Sequence, residues 1–212
     1  MTRSLQVLRM PAVGVLVLVY FLSIFAMASF ESTLALLTKA AFDMGDDANF
    51  LVFAAIGFVL LLSGGCYRPL AKRFPEQRLL AAGITLMLTG LAAVGLVSWQ
   101  VMGQGVVAEP GSPWRAAFYA AASLAVCGFA FVNPSVSALI SRRADADRQG
   151  EVLGVNQSFA SLARILGPLV GLALFSAHPS HVLPYANAFA VLLIVAMLVP
   201  RISRDQPAAH PA

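Results

Sequence analysis

Six long apolar runs, broken by short polar stretches, dominate the chain at residues 11–37, 50–67, 79–97, 114–140, 153–175 and 183–200. Each approaches or exceeds the ~18 residues that cross a ~30 Å hydrocarbon layer as a helix rising 1.5 Å per residue. The runs lack period-two alternation and greatly outrun the ~9–11 residues of a barrel strand. Hydrocarbon offers no partner to free backbone groups, so only helices satisfy these segments. The pattern predicts an all-α membrane protein: a six-transmembrane-helix bundle over residues 1–202, then a polar, proline-containing tail at 203–212 that is expected to be disordered.

Composition agrees with that solvent. Hydrophobic residues make up 59% of the chain and charged ones 11%, against roughly 45–50% and about 25% in a soluble domain. Too few polar residues remain to clothe a water-soluble core. The formal charge of +4 does not point to nucleic acid, because the basic residues sit in short clusters between apolar runs and form no basic face interleaved with aromatics. The lipid bilayer is the expected partner. Arg3, Arg9, Arg68, Lys72, Arg73, Arg78, Arg142, Arg143, Arg148, Arg201 and Arg204 fall on one side of the alternating spans, whereas Lys39 and Arg115 fall on the other beside Asp43, Asp46, Asp47 and Glu109. Positive charge collects on the cytoplasmic side, so a multi-pass protein of the cell (inner) membrane with both termini cytoplasmic is expected. Trp99 and Trp114 bracket the loop at 101–113 and belong at the outer interface. Arg3, Arg9 and Ala26-Met27-Ala28 imitate a cleavable secretory signal, but the apolar run continues to Leu37, as a full span requires. Cys66 and Cys127 differ in expected depth, which disfavours a disulfide and leaves both as small buried hydrophobes.

Polar groups inside the spans are where chemistry belongs. Gly150, Gly154, Gln157, Ser161, Arg164, Pro168 and Gly171 recur at steps of four and three, forming a stripe on the fifth span. Such a stripe serves either close helix packing or the wall of a watery cavity. Arg164 lies deep in the span, where a charge costs ~2.5–3.5 kcal/mol on insertion scales. It therefore requires protein or water beside it. Glu31, the acid well inside an apolar run, is its candidate partner, as a static bridge or as a pair that opens when a proton or substrate binds. Asn133-Pro134 interrupts the fourth span, and the proline removes a backbone donor, so a kink or local opening is expected there. Asn133, Asn156 and Gln157 are the candidates to line a cavity. His178 and His181 lack a third ligand nearby, which favours a surface loop over a metal site. No Gly-x-Ser-x-Gly, His-Glu-x-x-His or phosphate-cradling glycine loop occurs, so neither an enzyme nor a cofactor or metal protein is indicated.

Several of these residues also fit a known family. Phe131, Asn133-Pro134 and Arg142-Arg143, then Arg148-Gln149-Gly150-Glu151-Val152-Leu153-Gly154, Gln157-Ser158 and Gly167-Pro168, resemble the tenth and eleventh helices of the major facilitator superfamily. Its drug:proton antiporter branch, which includes tetracycline efflux proteins, is the nearest likeness. Phe30-Glu31-Ser32-Thr33-Leu34 resembles the seventh helix. Gly64-Gly65 followed by Arg68, Lys72, Arg73, Phe74 and Arg78 resembles the basic loop after the eighth, although Lys72 and Pro75 stand where the family commonly has aspartate and glycine. The resemblance covers nearly the whole chain but only the C-terminal half of the family fold, a 3+3 inverted repeat. It implies proton-coupled efflux of a small amphipathic compound through a site shared with a second six-helix half: another part of a longer chain, a separate subunit, or a second copy. Glu31 and Arg164 would then serve coupling or gating, and Arg68, Arg73, Arg142 and Arg143 would meet anionic lipid and the other half. A non-transporting assembly module and a homo-oligomeric channel are the readings from other classes.

Overall fold

A computed structural model describes residues 11–103, 109, 111–144 and 146–204. Among them six helices follow one another: α1 (Pro11–Phe42), α2 (Asp46–Ala71), α3 (Glu76–Gly103), α4 (Pro113–Arg143), α5 (Gln149–Ala177) and α6 (Leu183–Arg204), with a short 3₁₀ turn at Ala146–Arg148 before α5. All six are long and apolar enough to cross a membrane. Each encloses one apolar run and extends past it, because a helix that has satisfied its backbone in lipid has no reason to stop at the headgroups. Arg3, Arg9 and residues 205–212 lie outside the described residues.

The ends are set by local chemistry. Ser112 caps α4, its Oγ accepting from the Trp114 N–H at 3.3 Å, with Pro113 in the first turn. Asp46 and Asp47 place negative charge on the α2 N-terminus. At the close of α1 the chain reverses through Asp43 in the left-handed region, at φ 51°. There the Arg115 guanidinium donates to the Phe42 carbonyl and lies 5.8 Å over its ring. That bond satisfies a carbonyl the helix end leaves orphaned.

Helix α1 is the hub. It packs chiefly on α5 and α6, while α4 packs chiefly on α3 and α2; α1 meets α4, and α3 meets α6. Exchanging the first three helices with the last three leaves this main pattern unchanged, as an inverted repeat demands. The first helix of each triplet is thus clasped by the second and third helices of the other. The core contains Leu16, Val19 and Leu37 of α1, Met87 and Leu91 of α3, Phe118 and Val126 of α4 and Leu192 of α6, all fully buried. Several polar side chains within it bond locally or across helices. Thr33 Oγ1 donates between the Ser29 carbonyl at 3.0 Å and Tyr185 Oη at 3.2 Å, and Ser98 Oγ ties α3 to the Ser180 carbonyl at 2.9 Å.

The tightest seam joins α3 to α4. A Cβ on Gly90 would meet the Ala125 backbone N at 2.4 Å, and one on Gly128 would meet the Gly83 carbonyl at 2.4 Å. By contrast α2 leans on α4 along a single edge that includes Val52 and Tyr67, the latter 6.1 Å ring to ring from Phe131. Phe50, Leu51, Phe58 and Leu61 stand out from it, each 60% exposed or more. Cys66 is exposed on this helix rather than buried, because α2 offers the bundle only that edge, whereas Cys127 of α4 is partly covered; both are free thiols.

The seam yields a signed expectation. Gly90→Ala and Gly128→Ala should each lower thermal stability in detergent by about 1–3 kcal/mol through overpacking. Gly64→Ala, with open space around it, should leave the midpoint unchanged or raise it slightly, since alanine favours helix by up to ~1 kcal/mol. Equal behaviour of the three variants would refute the seam.

Candidate functional site

The α1–α5 contact fixes how the polar residues are arranged. Phe21 meets Phe159 edge-on at 6.2 Å. Higher up, a Cβ on Gly167 would lie 2.8 Å from Ala28 Cβ and 2.9 Å from the Phe25 carbonyl, and one on Gly171 would lie 2.6 Å from Ser29 Oγ. The two helices run the same way in this register, which sets Arg164 near the level of Phe25 and Ala26. Tyr20 then lies below it and Glu31 above it, each by ~7–9 Å of helix rise. Tyr20 and Glu31 are themselves about three turns apart and share one side of α1.

A polar track results. Tyr20, 2% exposed, donates from Oη to Asn133 Oδ1 of α4 at 2.6 Å. Glu31, Asn133, Gln157 and Arg164 are all exposed. The track occupies the face where α1 and α4 lie between α5 and α2. The expected Glu31–Arg164 bridge is not formed: among the described residues the ion pairs are Glu76–Arg142 and Arg148–Glu151. Six residues of rise separate the first two along near-parallel helices, so the arginine sits between the acid and the phenol without closing on either. Tyr20 escaped sequence inspection because tyrosine is unremarkable in an apolar run, although its three-turn offset from Glu31 was a usable signal.

Other candidates separate by face. Asn156 turns away from the track and is buried, 3% exposed, with Oδ1 lacking a hydrogen-bond partner; it does not line the open face. The fifth-span stripe also divides. Gly150, Gly154 and Ser161 are exposed beside Gln157, with open space around both glycines and the Ser161 hydroxyl returned to the Gln157 carbonyl at 3.0 Å. Pro168 is half-buried, and Gly171, with Gly167, turns onto α1. Alternating steps of four and three average 3.5 residues per turn and drift ~20° per heptad on a real helix. Three heptads carry Gly171 round into the contact. Pro134 sits inside α4 without breaking it, half-buried one residue from the Tyr20–Asn133 bond.

The basic residues Arg68, Lys72, Arg73 and Arg78 gather exposed at the α2–α3 turn. Glu76 there binds Arg142 at the end of α4 at 2.6 Å, and Arg143 donates to the Ile202 carbonyl of α6. These contacts bring the basic ends of α2, α4 and α6 to one end of the bundle. At the other end His178 Nδ1 contacts Ser180 Oγ at 2.8 Å, and His181 Nδ1 bonds the Phe175 carbonyl at 2.8 Å with its ring stacked on Phe175. Both histidines shape the α5–α6 loop.

A six-helix bundle with cross-clasped triplets and an open polar face on its first, fourth and fifth helices has a counterpart among known families. The family model described as Major Facilitator Superfamily matches residues 16–212. The chain belongs to the major facilitator superfamily. Its fold is one six-helix half of a major-facilitator bundle, and it is a multi-pass membrane protein. Two similar proteins carry the name Major facilitator superfamily domain-containing protein 10. The one from Mus musculus is 27% identical over 162 residues, which cover 74% of this chain and 31% of that protein. The one from Bos taurus is 27% identical over 157 residues, covering 72% and 30%. This major-facilitator chain therefore matches less than a third of the length of these curated relatives.

Two outcomes check the geometry. In a background lacking Cys66 and Cys127, Gln157→Cys and Arg164→Cys should react with a membrane-impermeant maleimide, while Ala160→Cys and Ala163→Cys, fully buried against the bundle, should not. Uniform labelling, or none, would remove the open polar face. Tyr20→Phe should cost about 0.5–1.5 kcal/mol of thermal stability, the net worth of one internal hydrogen bond, and Asn133→Ala in the same background should then add little.

Proposed function

We propose that this chain is one half of a membrane transporter that exports a small amphipathic compound in exchange for protons, as the drug:proton antiporter branch does, with a second six-helix half completing the translocation path. The carrying observation is the placement of Arg164 between the levels of Glu31 and the Tyr20–Asn133 pair on a face left open by α1, α4 and α5. An intramembrane charge is retained against its insertion cost where water, an ion or a substrate reaches it. An acid that shares an arginine with a phenol and closes on neither is poised to exchange partners: protonating Glu31 releases the Arg164 charge toward Tyr20 and the cavity. Asn133 and Gln157, exposed on the same face, supply hydrogen bonds to a polar group of the cargo, and the surrounding apolar side chains accept its greasy part. Residues 1–202 form the transmembrane unit of this reading, and the tail at 203–212 lies in the cytoplasm.

Orientation follows from charge. The ends of the bundle that carry Arg68, Lys72, Arg73, Arg78, Arg142, Arg143 and Arg148 face the cytoplasm of an inner-membrane protein under the positive-inside rule, which sets both termini there. The second half lies against the open face between α2 and α5. It is supplied by another part of the product, by a separate subunit or by a second copy.

The test is transport in everted membrane vesicles in which the chain is made from its own locus, with its neighbours. Glu31→Gln, inserted at normal levels, should abolish proton-driven accumulation of a fluorescent amphiphile and flatten its response to the pH gradient. A Glu31→Gln variant with unchanged pH dependence would exclude the carboxylate from coupling.

A further inference from the structure

At the basic end of the bundle two hollows of opposite character adjoin. One, of about 280 Å³, is lined by Lys72, Arg73, Gln77, Glu76 and Arg142. The other, of about 390 Å³, is a groove walled by Leu70, Leu79, Ala82, Leu86 and Phe131 with Arg78 at its mouth. Phe74 lines both. Neither α1 nor α5 contributes to the groove, so it lies apart from the polar face that carries Glu31 and Arg164.

Charge and shape together define an occupant. The Glu76 carboxylate is taken by Arg142 at 2.6 Å, with the Glu76 side chain only 11% exposed. Among the described residues Lys72, Arg73 and Arg78 have no ion-pair partner, and all three are exposed. The polar hollow is thus a net cationic cup, and the first turn of α3, which begins at Glu76, turns its positive dipole end the same way. From Leu79 to Leu86 the groove follows α3 for ~10 Å, running from the headgroup level into the hydrocarbon zone. A free anion has no use for that apolar extension. A water-soluble partner would not reach it.

We propose that this junction is a binding site for one anionic phospholipid, with its phosphate and acidic headgroup in the Lys72–Arg73 cup and the upper part of an acyl chain in the Leu79–Leu86 groove. Arg78 lies where the glycerol phosphate crosses from one hollow to the other. The site rests on membrane insertion and on no particular transport activity. It bridges the α2–α3 turn to α4 through Phe74 and Phe131, and so braces α2, the helix with the least protein around it.

Native mass spectrometry of the full chain released from nanodiscs of equal parts phosphatidylcholine and phosphatidylglycerol provides the test. The wild-type chain should retain a phosphatidylglycerol in preference to phosphatidylcholine, and inorganic phosphate at matched ionic strength should not displace it. Lys72→Gln with Arg73→Gln should reduce retention several-fold. Ala82→Phe, which fills the exposed groove and leaves every charge in place, should do the same, while Arg148→Gln on the neighbouring turn should retain lipid as the wild type does. Helical content by circular dichroism verifies each fold, and Ala82→Leu replaces the phenylalanine variant if that one fails to insert. Retention unaffected by filling the groove, or equal loss with Arg148→Gln, would mean diffuse attraction of lipid to a basic surface and would overturn the site. Displacement by phosphate would make it an anion site instead.

Discussion

Hydrocarbon cannot reward helices for hiding apolar surface, since lipid tails are as apolar as leucine, so this bundle is held by how closely its backbones approach. Two seams supply that approach. Gly83, Gly90 and Gly128 let α3 and α4 touch backbone to backbone, and Gly167 and Gly171 do the same for α5 against α1. Each seam joins a helix of the first triplet to one of the second, and together they enforce the cross-clasped arrangement in which α1 and α4 occupy the middle. Larger residues at these few positions would separate the triplets by more than any surface change would.

The same seams decide where the polar track lies. With Gly167 pressed on Ala28, the α1–α5 register is fixed, and Arg164 has nowhere to stand but between Tyr20 and Glu31. One turn of slip would bring the guanidinium to the acid or to the phenol and convert an undecided charge into a static pair. Packing and electrostatics are therefore one problem here: the small residues that hold α5 in place also hold Arg164 out of contact. The part-buried Tyr20–Asn133 bond, from α1 to α4 at 2.6 Å, steadies the opposite edge of the track and sits beside Pro134, where α4 lacks one backbone donor.

Helix number and the segregation of basic residues were legible in the sequence because hydropathy and the positive-inside rule need no tertiary information. The polar candidates were legible as residue types, and Glu31, Asn133, Gln157 and Arg164 are all exposed on α1, α4 and α5. The Glu31–Arg164 bridge failed because the offset of one to two turns that span depth already assigns to the two residues, about six residues of rise here, is more than the arginine stem closes. Asn156 does not line the open face because the rotation of α5 that exposes Gln157 turns Asn156, 100° round the helix, into the bundle. The α3–α4 seam was overlooked although Gly83 and Gly90 are seven apart, facing Ala121, Ala125 and Gly128 at steps of four and three, which is a small-residue heptad.

The loop between α2 and α3 shows how a departure from a motif is absorbed. Where the family commonly has an aspartate, this chain has Lys72, yet the acid has not vanished: Glu76 opens α3, where the helix dipole favours a negative group, and reaches Arg142 at the far end of the α3–α4 seam. The pair is half open to solvent on the arginine side and contributes little stability by itself. Its consequence is geometric. It ties the start of α3 to the end of α4, so the contact between these two helices continues past Gly128 to the basic end of the bundle. Helix α2 is then tethered by the short turns at its two ends, by the Thr38–Asn49 side-chain bond to α1 and by one edge of α4. Local stability follows the density of buried contacts, and α2 has the fewest in the bundle. Of the six helices it is the one whose position most depends on what lies outside the chain, whether lipid or another protein.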